Sequence, residues 1–435
     1  MMRRLFNSLP SQLRWLRPGL GIKRWLVLLV VGATLIGLGG AYLLSDLYHT
    51  LALPPALSAL TLQFVPRLLR AALFGGLGAA IMFWALRGIQ RALLAPFIQP
   101  GQDVTGAITE HRRRGRGPKI VAIGGGTGLS TILRGLKAHT SNLTAIVTVA
   151  DDGGSSGRLR RALGVLPPGD FRNCLAALAE DESVTTQLFQ YRFGGDQDLG
   201  GHSFGNLFIT AMAEVTGSFE RALVESSRVL AIRGQVLPST LQNVTLVGEL
   251  AVGLDPVSRV EGESQITLAE GAIRRVFLQP DEAPAYPAAI KALLDADLIV
   301  LGPGSLYTSL LPNLLVRDLT EAIAASRAVK VYICNTATQP GETEGYSVYD
   351  HVDAIERHTR RGLFPIVLAN DAQTGALLPR LKWVSLTPPV NGARRLLMAD
   401  LADRDRPWRH DGRKTAAVLI SLLTQAEADR PLPAG

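Results

Sequence analysis

Only two cysteines, Cys174 and Cys334, occur in 435 residues. Two thiols exclude a disulfide framework, and without a CxxC pair they offer no zinc site. Both read as small packed residues of a reducing compartment. Charge is scarce as well: Asp, Glu, Lys and Arg make up 19% of the chain, against 47% apolar residues and a mean hydropathy of +0.19. The seven histidines form no Ser/His/Asp order and no Cys/His pairing that suggests a nucleophile. No Lys follows the glycine run Gly124–Gly128 as a Walker A loop requires. Counted from Gly124, the sixth position of a dinucleotide fingerprint is Leu129, which disfavours a dinucleotide oxidoreductase.

A net charge of +8 invites a nucleic-acid reading, but its placement argues against one. Residues 1–118 hold fourteen Lys and Arg against three acids, Asp46, Asp103 and Glu110. Residues 119–435 hold 31 basic and 34 acidic side chains, so the larger part of the chain has no electrostatic footprint for a phosphate backbone. Nucleic acid is set aside as a partner.

The basic residues flank two apolar runs. Trp25–Ser45 is uncharged over 21 residues, enough as a helix for roughly 30 Å of bilayer core. Trp25, Tyr42 and Tyr48 are interfacial residue types. A secretory signal is the competing reading, but the run exceeds an h-region of about 7–15 residues and a second apolar run follows. That second run, Ala71–Leu86, is lengthened by Leu68 and Leu69, with Arg70 able to snorkel. Gly75 with Ala79, and Gly76 with Ala80, let two helices approach closely, and Pro54 and Pro55 suit the turn. Basic side chains cluster before the first helix and after the second, which puts both ends on the cytoplasmic side. The expectation is a basic cytoplasmic N-terminus (1–24), a two-helix transmembrane hairpin (25–89, helices near 25–45 and 68–89) and a basic linker (90–118) at the anionic leaflet. The protein would be a multi-pass anchor of the inner, cytoplasmic membrane with its main domain in the cytoplasm.

The main domain opens with Lys119–Ile123, a buried-strand pattern, then Gly124, Gly125, Gly126, Thr127 and Gly128, then helical spacing at Leu129, Ile132, Leu133 and Leu136. Strand, glycine loop and helix in that order place backbone N–H groups where an anion can sit. A second strand, Leu143–Ala150, runs directly into Asp151 and Asp152, followed by Ser155 and Ser156. Carboxylates at such a strand exit can accept ribose or sugar hydroxyls, hold Mg²⁺, or act as a base. A polar turn with a capping Asp is the bland alternative. Further strands, Asp297–Leu301 and Val329–Asn335, exit into Gly304 and Ser305 and into Asn335, Thr338 and Gln339, candidates for a second phosphate contact and for reading a base or sugar.

These runs resemble the YvcK-like branch of the CofD-like superfamily, the gluconeogenesis factors. The resemblance rests on Ile123–Ser130, Val149–Arg158, Pro167–Cys174, Gly201–Asn206, Gly302–Tyr307 and Thr338–Thr343 with its continuation to His351. Six motifs in order span roughly 119–360; Ala337 departs, standing where relatives usually carry Met. The resemblance implies an α/β fold: a Rossmann-like, doubly wound, mostly parallel sheet with inserted elements. It further implies binding of a UDP-sugar, such as UDP-N-acetylglucosamine or UDP-glucose, and a role in carbon partitioning and cell shape. The sister branch, CofD, moves a phospholactyl group from a nucleotide-activated donor to a deazaflavin. In that alternative Asp151 or Asp152 would hold Mg²⁺.

Asp170, Arg172 and Asn173 follow a Pro–Pro–Gly turn and start a helix, as caps or as ligand contacts. His202, Ser203 and Asn206 precede an apolar helix; His202 lacks a partner at zinc spacing and is expected to bond a ligand, with Ser203 or Asn206 as cap. The stretches Asn243–Gly253 and Ser264–Leu268 suggest an inserted hairpin. The nucleotide-binding domain is taken as 119–395, with a C-terminal helix and tail over 396–435. Homo-oligomerisation is left open.

Overall fold

The structure, a computed structural model, describes residues 113–179, 184–195, 199–251, 257–387 and 395–428, with scattered positions between 33 and 87. The chain divides into two compact units, Met1–Arg113 and Arg114–Gly435. In the first, the described positions from 69 to 87 are helical, and Leu69, Leu77, Phe83 and Trp84 are largely exposed. Among the described residues no helix is long and apolar enough to cross a membrane. The N-terminus expected over 1–24, the spans expected at 25–45 and 68–89, and the linker expected over 90–118 lie wholly or largely outside the described residues.

In the second unit the strands are β1 (Ile120–Gly124), β2 (Leu143–Val147), β3 (Gln235–Pro238), β4 (Thr245–Ala251), β5 (Ser258–Glu261), β6 (Ala272–Gln279), β7 (Leu298–Leu301), β8 (Val329–Ile333), β9 (Ile366–Asn370) and β10 (Arg395–Ala399). Seven of them form one parallel sheet in the order β10-β9-β8-β7-β1-β2-β3. β1, β2 and β7 are buried at every position, as unbroken apolar strands covered on both faces must be. Ile120 is in register with both Leu143 and Leu298, so the three strands finish level.

The chain leaves β1 toward β2 and β3, then crosses back to place β7 on the other flank of β1. The strand order therefore reverses between β1 and β7. Loops leaving those two strands diverge, and the crevice between them is where open α/β sheets bind ligands. The expected Rossmann-like core is present.

Helices α1 (Gly126–Leu136), α2 (Gly154–Leu163), α3 (Gly169–Leu178) and α4 (Phe204–Thr216) follow β1 and β2. A short α5 (Glu263–Ile266) belongs to the insertion, α6 (Pro287–Leu294) and α7 (Arg317–Ala325) flank β7, and α8 (Gly412–Ala428) ends the described chain. α1 packs with α3 and α8, while α6 packs with α7. Right-handed crossovers on either side of the reversal put these two groups on opposite faces.

Two expectations change. The insertion is a three-stranded antiparallel sheet, β5-β4-β6, and Ser264–Leu268 is not one of its strands. Gly262 turns the chain at φ +97, and the Ser264 N–H donates to Asp152 Oδ1 at 2.9 Å instead of to a neighbouring strand. The C-terminal segment is also more than a helix and tail, since β10 extends the main sheet beside β9. α8 meets α1 with almost no side chain between them. A Cβ on Gly135 would collide with the Gly412 carbonyl, and one on Gly412 with the Thr131 carbonyl. Gly135→Val is expected to force these helices apart and destabilise the Arg114–Gly435 unit by about 1–3 kcal/mol, read as a lower urea midpoint; an unchanged midpoint would refute the close helix docking.

Candidate functional site

α1 starts one residue beyond β1, with no side-chain cap and no acidic residue in its first turn. The first N–H groups of a helix have no intrahelical acceptor; that of Gly126 donates to the Asp170 carboxyl. Gly126 has φ +63 and open space where a Cβ would stand, so any other residue would strain the backbone and fill the crevice. At Gly128 a Cβ would collide with the Pro303 carbonyl. The loops after β1 and β7 thus touch backbone to backbone. Thr127 is exposed, and its carbonyl accepts from Ser130 Oγ and Thr131 Oγ1, both at 2.9 Å. Gly124 is the buried end of β1, with its carbonyl taken by Asn313 Nδ2 at 3.0 Å.

The loop after β7 is braced from β8. Asn335 mimics a paired strand: its Nδ2 donates to the Gly304 carbonyl at 2.9 Å and its Oδ1 accepts from the Gly304 N–H at 3.3 Å. Gln339 Nε2 donates to Ser305 Oγ at 2.7 Å and to Glu342 Oε1 at 3.0 Å. Glu342 is buried, and its other contacts are Thr308 Oγ1 at 2.9 Å and the Tyr307 N–H at 3.1 Å. Burial raises its pKa above the usual carboxyl range, with those donors pulling the other way. Thr338 pairs with Lys382 through both backbone and hydroxyl, at 2.7 and 3.2 Å.

The two adjacent aspartates part company. Asp151 lines the crevice; its Oδ1 accepts from the Gly153 N–H at 2.9 Å. Asp152 does not line it. Its carboxylate is spent on Ser264 N and on the space beside Gly262, where a Cβ would collide with it. Its role is to dock the insertion, which corrects its reading as a ligand contact. Arg160 works at the same seam, donating to the Asp151 and Val244 carbonyls. Docking brings in Glu263, which hydrogen-bonds Asp151; burial first, and then the Asp151 and Asp170 charges, raise its pKa strongly. Asp170 is pushed up to about 6 by burial and by Asp151, against the pull of the Gly126 N–H and Arg172.

The remaining expected residues form a layer behind this one. Ser155 Oγ accepts from Asn206 Nδ2 at 3.0 Å and lies 2.9 Å from His202 Nδ1. Burial, then Arg158 and Arg192, lower the His202 pKa. His202 therefore holds the start of α2, where a direct ligand contact was expected. Ser203 is the α4 cap, accepting from the Asn206 N–H. Ser156 Oγ accepts from Gly169 N–H at 3.0 Å, joining α2 to α3. Arg172 is buried; it donates to the neighbouring Asn173 Oδ1 at 2.8 Å, and its Nε has no partner. None of these seven lines the crevice.

The crevice is a cavity of about 540 Å³ across the ends of β2, β1, β7 and β8, within the range of small-molecule sites. Its wall includes Gly125 to Gly128, Asp151, Asp170, Gly304, Ser305, Asn335, Thr338 and Gln339, all expected from the sequence. It also includes Glu263, Thr336, Trp408, Arg409 and His410, which were not. Thr336 sat inside a quoted strand exit, and its buried hydroxyl has no partner. Glu263 and Trp408–His410 carry no local signal, because an insertion and the C-terminal segment bring them in. His410 Nε2 is 3.1 Å from the Cys334 carbonyl, and burial lowers its pKa to about 4, so it is neutral near pH 7. Arg409 is the one Lys or Arg among the described lining residues. No group of three His, Cys, Asp or Glu among the described residues is arranged to hold a metal. Of the two aspartates from which Mg²⁺ binding is expected, Asp151 faces the crevice and Asp152 the insertion. The arrangement suits an elongated ligand with an anionic middle and hydroxyl-rich or aromatic ends.

The family model described as 2-phospho-L-lactate transferase CofD matches residues 120–390. A relative from Nostoc sp., provisionally named a gluconeogenesis factor, is 46% identical over 96% of this chain and 97% of its own. A gluconeogenesis factor from Bacillus subtilis is 45% identical over 72% of this chain and 100% of its own. A crystal structure of a UPF0052 family protein from Bacillus halodurans is 42% identical, covering 70% of this chain and 99% of that one, with a TM-score of 0.64.

Asp170 has a pH consequence. Its folded pKa of about 6 lies above the ordinary carboxyl value of 3.8, so the fold holds this proton more tightly than the unfolded chain. The stabilisation is complete below about pH 4 and is lost as pH rises through about 6. Asp170→Asn is expected to match the wild type near pH 4 and to exceed it by about 3 kcal/mol at pH 8 in urea unfolding. A difference that does not change between the two pH values would contradict the assignment.

Proposed function

The chain belongs to the CofD-like family, among the gluconeogenesis factors, and from that premise we propose that it is a regulatory protein that binds a nucleotide sugar. The observation that carries this reading is the glycine-built N-terminus of α1, where Asp170 takes the Gly126 N–H and no N-cap side chain covers the turn, opening onto the cavity at the strand reversal. First-turn N–H groups and the helix dipole favour a phosphate at that point. Arg409 adds the one cationic side chain of the described wall. Asp151 and Asp170 offer acceptors for sugar hydroxyls, and the unpartnered Thr336 hydroxyl leaves a hydrogen bond for a ligand to complete. A UDP-sugar meets all of these demands, and no turnover is required. By the name its relatives carry, the bound nucleotide sugar would report on carbon supply; cell-envelope synthesis and cell shape are the outputs that the family resemblance implies.

A transferase of the CofD type is the second reading, favoured by the position of Asp151 beside the phosphate-binding loop. Mg²⁺ would then arrive with the donor's phosphates and take Asp151 as a protein ligand, since Mg²⁺ is commonly held by one or two carboxylates plus phosphate oxygens. The ion would supply charge neutralisation at the transferred phosphate.

Calorimetric titration with UDP-N-acetylglucosamine and UDP-glucose separates these readings from each other and from neither. Saturable binding without product supports the regulator. Product from a phospholactyl-nucleotide donor, a deazaflavin and Mg²⁺, lost in Asp151→Asn, would replace it with the transferase. Absence of UDP-sugar binding at millimolar ligand would remove the first reading.

We further propose that residues 25–45 and 68–89 form the membrane hairpin and keep the ligand-binding unit in the cytoplasm. The uncharged runs and basic flanks support this. A reporter fused at the C-terminus is expected to be active in the cytoplasm; activity on the far side of the membrane would overturn the topology.

A further inference from the structure

The cavity wall is chemically lopsided. At the β2 end stand Asp151 and Glu263, which hydrogen-bond each other, while the Asp170 carboxyl takes the Gly126 N–H at the start of α1. At the β8 end stand Thr336, Leu381 and Trp408, with no carboxylate among them. β8 lies two strands from β1, about 10 Å at ordinary strand spacing. That is the reach of a nucleoside extending from a diphosphate seated over α1. β2 is adjacent to β1 on the other side.

Resting on the nucleotide-sugar reading, we infer that the ligand lies in one polarity: diphosphate over the β1–β7 reversal, nucleoside over the β8 exit with its base on Trp408, and hexose toward Asp151. Three physical arguments support this direction. Trp408 is half-buried in the wall and its ring pairs with no other described aromatic ring, which leaves a face for base stacking. Thr336 contributes a buried hydroxyl without a partner in the same wall, a group that costs stability until something bonds it. The β2 end gathers carboxyl oxygens that can accept from the hydroxyls of a neutral ring, and it offers a phosphate no cation.

Trp408 is thereby a specificity-determining residue outside the family-matched segment, which ends at 390. His410, two residues on, is tied to the Cys334 carbonyl at the end of β8. That bond fixes the segment over the strand exit and makes Trp408 part of a preformed wall.

The test is titration of the purified full-length chain with UDP, UDP-glucose and glucose 1-phosphate, followed by calorimetry and by tryptophan fluorescence. Trp408→Ala is expected to weaken UDP and UDP-glucose by the same factor, roughly tenfold. Trp408→Phe should recover most of that loss while removing the fluorescence change that UDP causes. Asp151→Asn should lower the ratio of UDP-glucose to UDP affinity. Thr336→Val should weaken both ligands without lowering the melting midpoint, and Thr336→Ser should restore binding. The polarity is overturned if Trp408→Ala weakens UDP-glucose alone, or leaves UDP binding unchanged. It is equally overturned if Asp151→Asn weakens UDP as much as UDP-glucose. A wild-type chain that binds neither UDP nor UDP-glucose fails differently, removing the nucleotide-sugar reading and this inference together.

Discussion

Two backbone loops meet without side chains between them where β1 and β7 diverge. Gly128 rests against the Pro303 carbonyl, and Asn335 holds the facing Gly304 by two hydrogen bonds. Everything at the site follows from that contact. It sets the width of the crevice, turns the first turn of α1 toward it, and keeps the β7 loop from collapsing onto it. The bracing continues outward through Gln339 and the buried Glu342, whose carboxyl meets Thr308 and the Tyr307 N–H. A buried carboxyl surrounded by donors is tolerable because each oxygen is matched. An anion-binding loop is useful only if it is already in shape when the ligand arrives, and these contacts do the shaping.

The acidic half of the site is built differently, from parts distant in sequence. Asp152 turns away to receive Ser264, and in doing so swings Glu263 against Asp151. Behind Asp151, the Ser155–His202–Asn206 group and the Ser156–Gly169 bond fix the starts of α2 and α3. These side chains resemble binding residues in a linear reading because they are polar, glycine-flanked and near strand exits. Their hydrogen bonds are directed at one another. They hold in place the residues that face the cavity.

Much of this was legible from residue order. Unbroken apolar runs ending in glycine or aspartate located β1, β2, β7 and β8 to within a few positions, since buried parallel strands permit little else. The same runs pointed to Gly125–Gly128, Asp151, Ser305, Asn335 and Gln339, all in the cavity wall. Alternation misled at Ser264–Leu268, where a short polar–apolar repeat reads as strand. A positive-φ glycine and a tertiary bond to Asp152 make it a helical turn. Hydrophobic period is a weak guide over five residues, because packing partners overrule it.

The order of residues settled what lies at strand exits, because strand, loop and helix follow from local pattern and from the few conformations glycine alone permits. It could not settle which polar groups at those exits face a ligand and which face each other. That choice depends on directions fixed after the sheet has formed: Asp151 inward, Asp152 toward the insertion, His202 toward Ser155. Nor could it supply Glu263, Trp408 and Arg409, which reach the cavity only when the insertion and the C-terminal segment fold over the sheet edge. The reason is physical. Local conformation is determined by neighbours in the chain, whereas a binding wall is assembled by burial and hydrogen bonding between segments 47 to 112 residues apart.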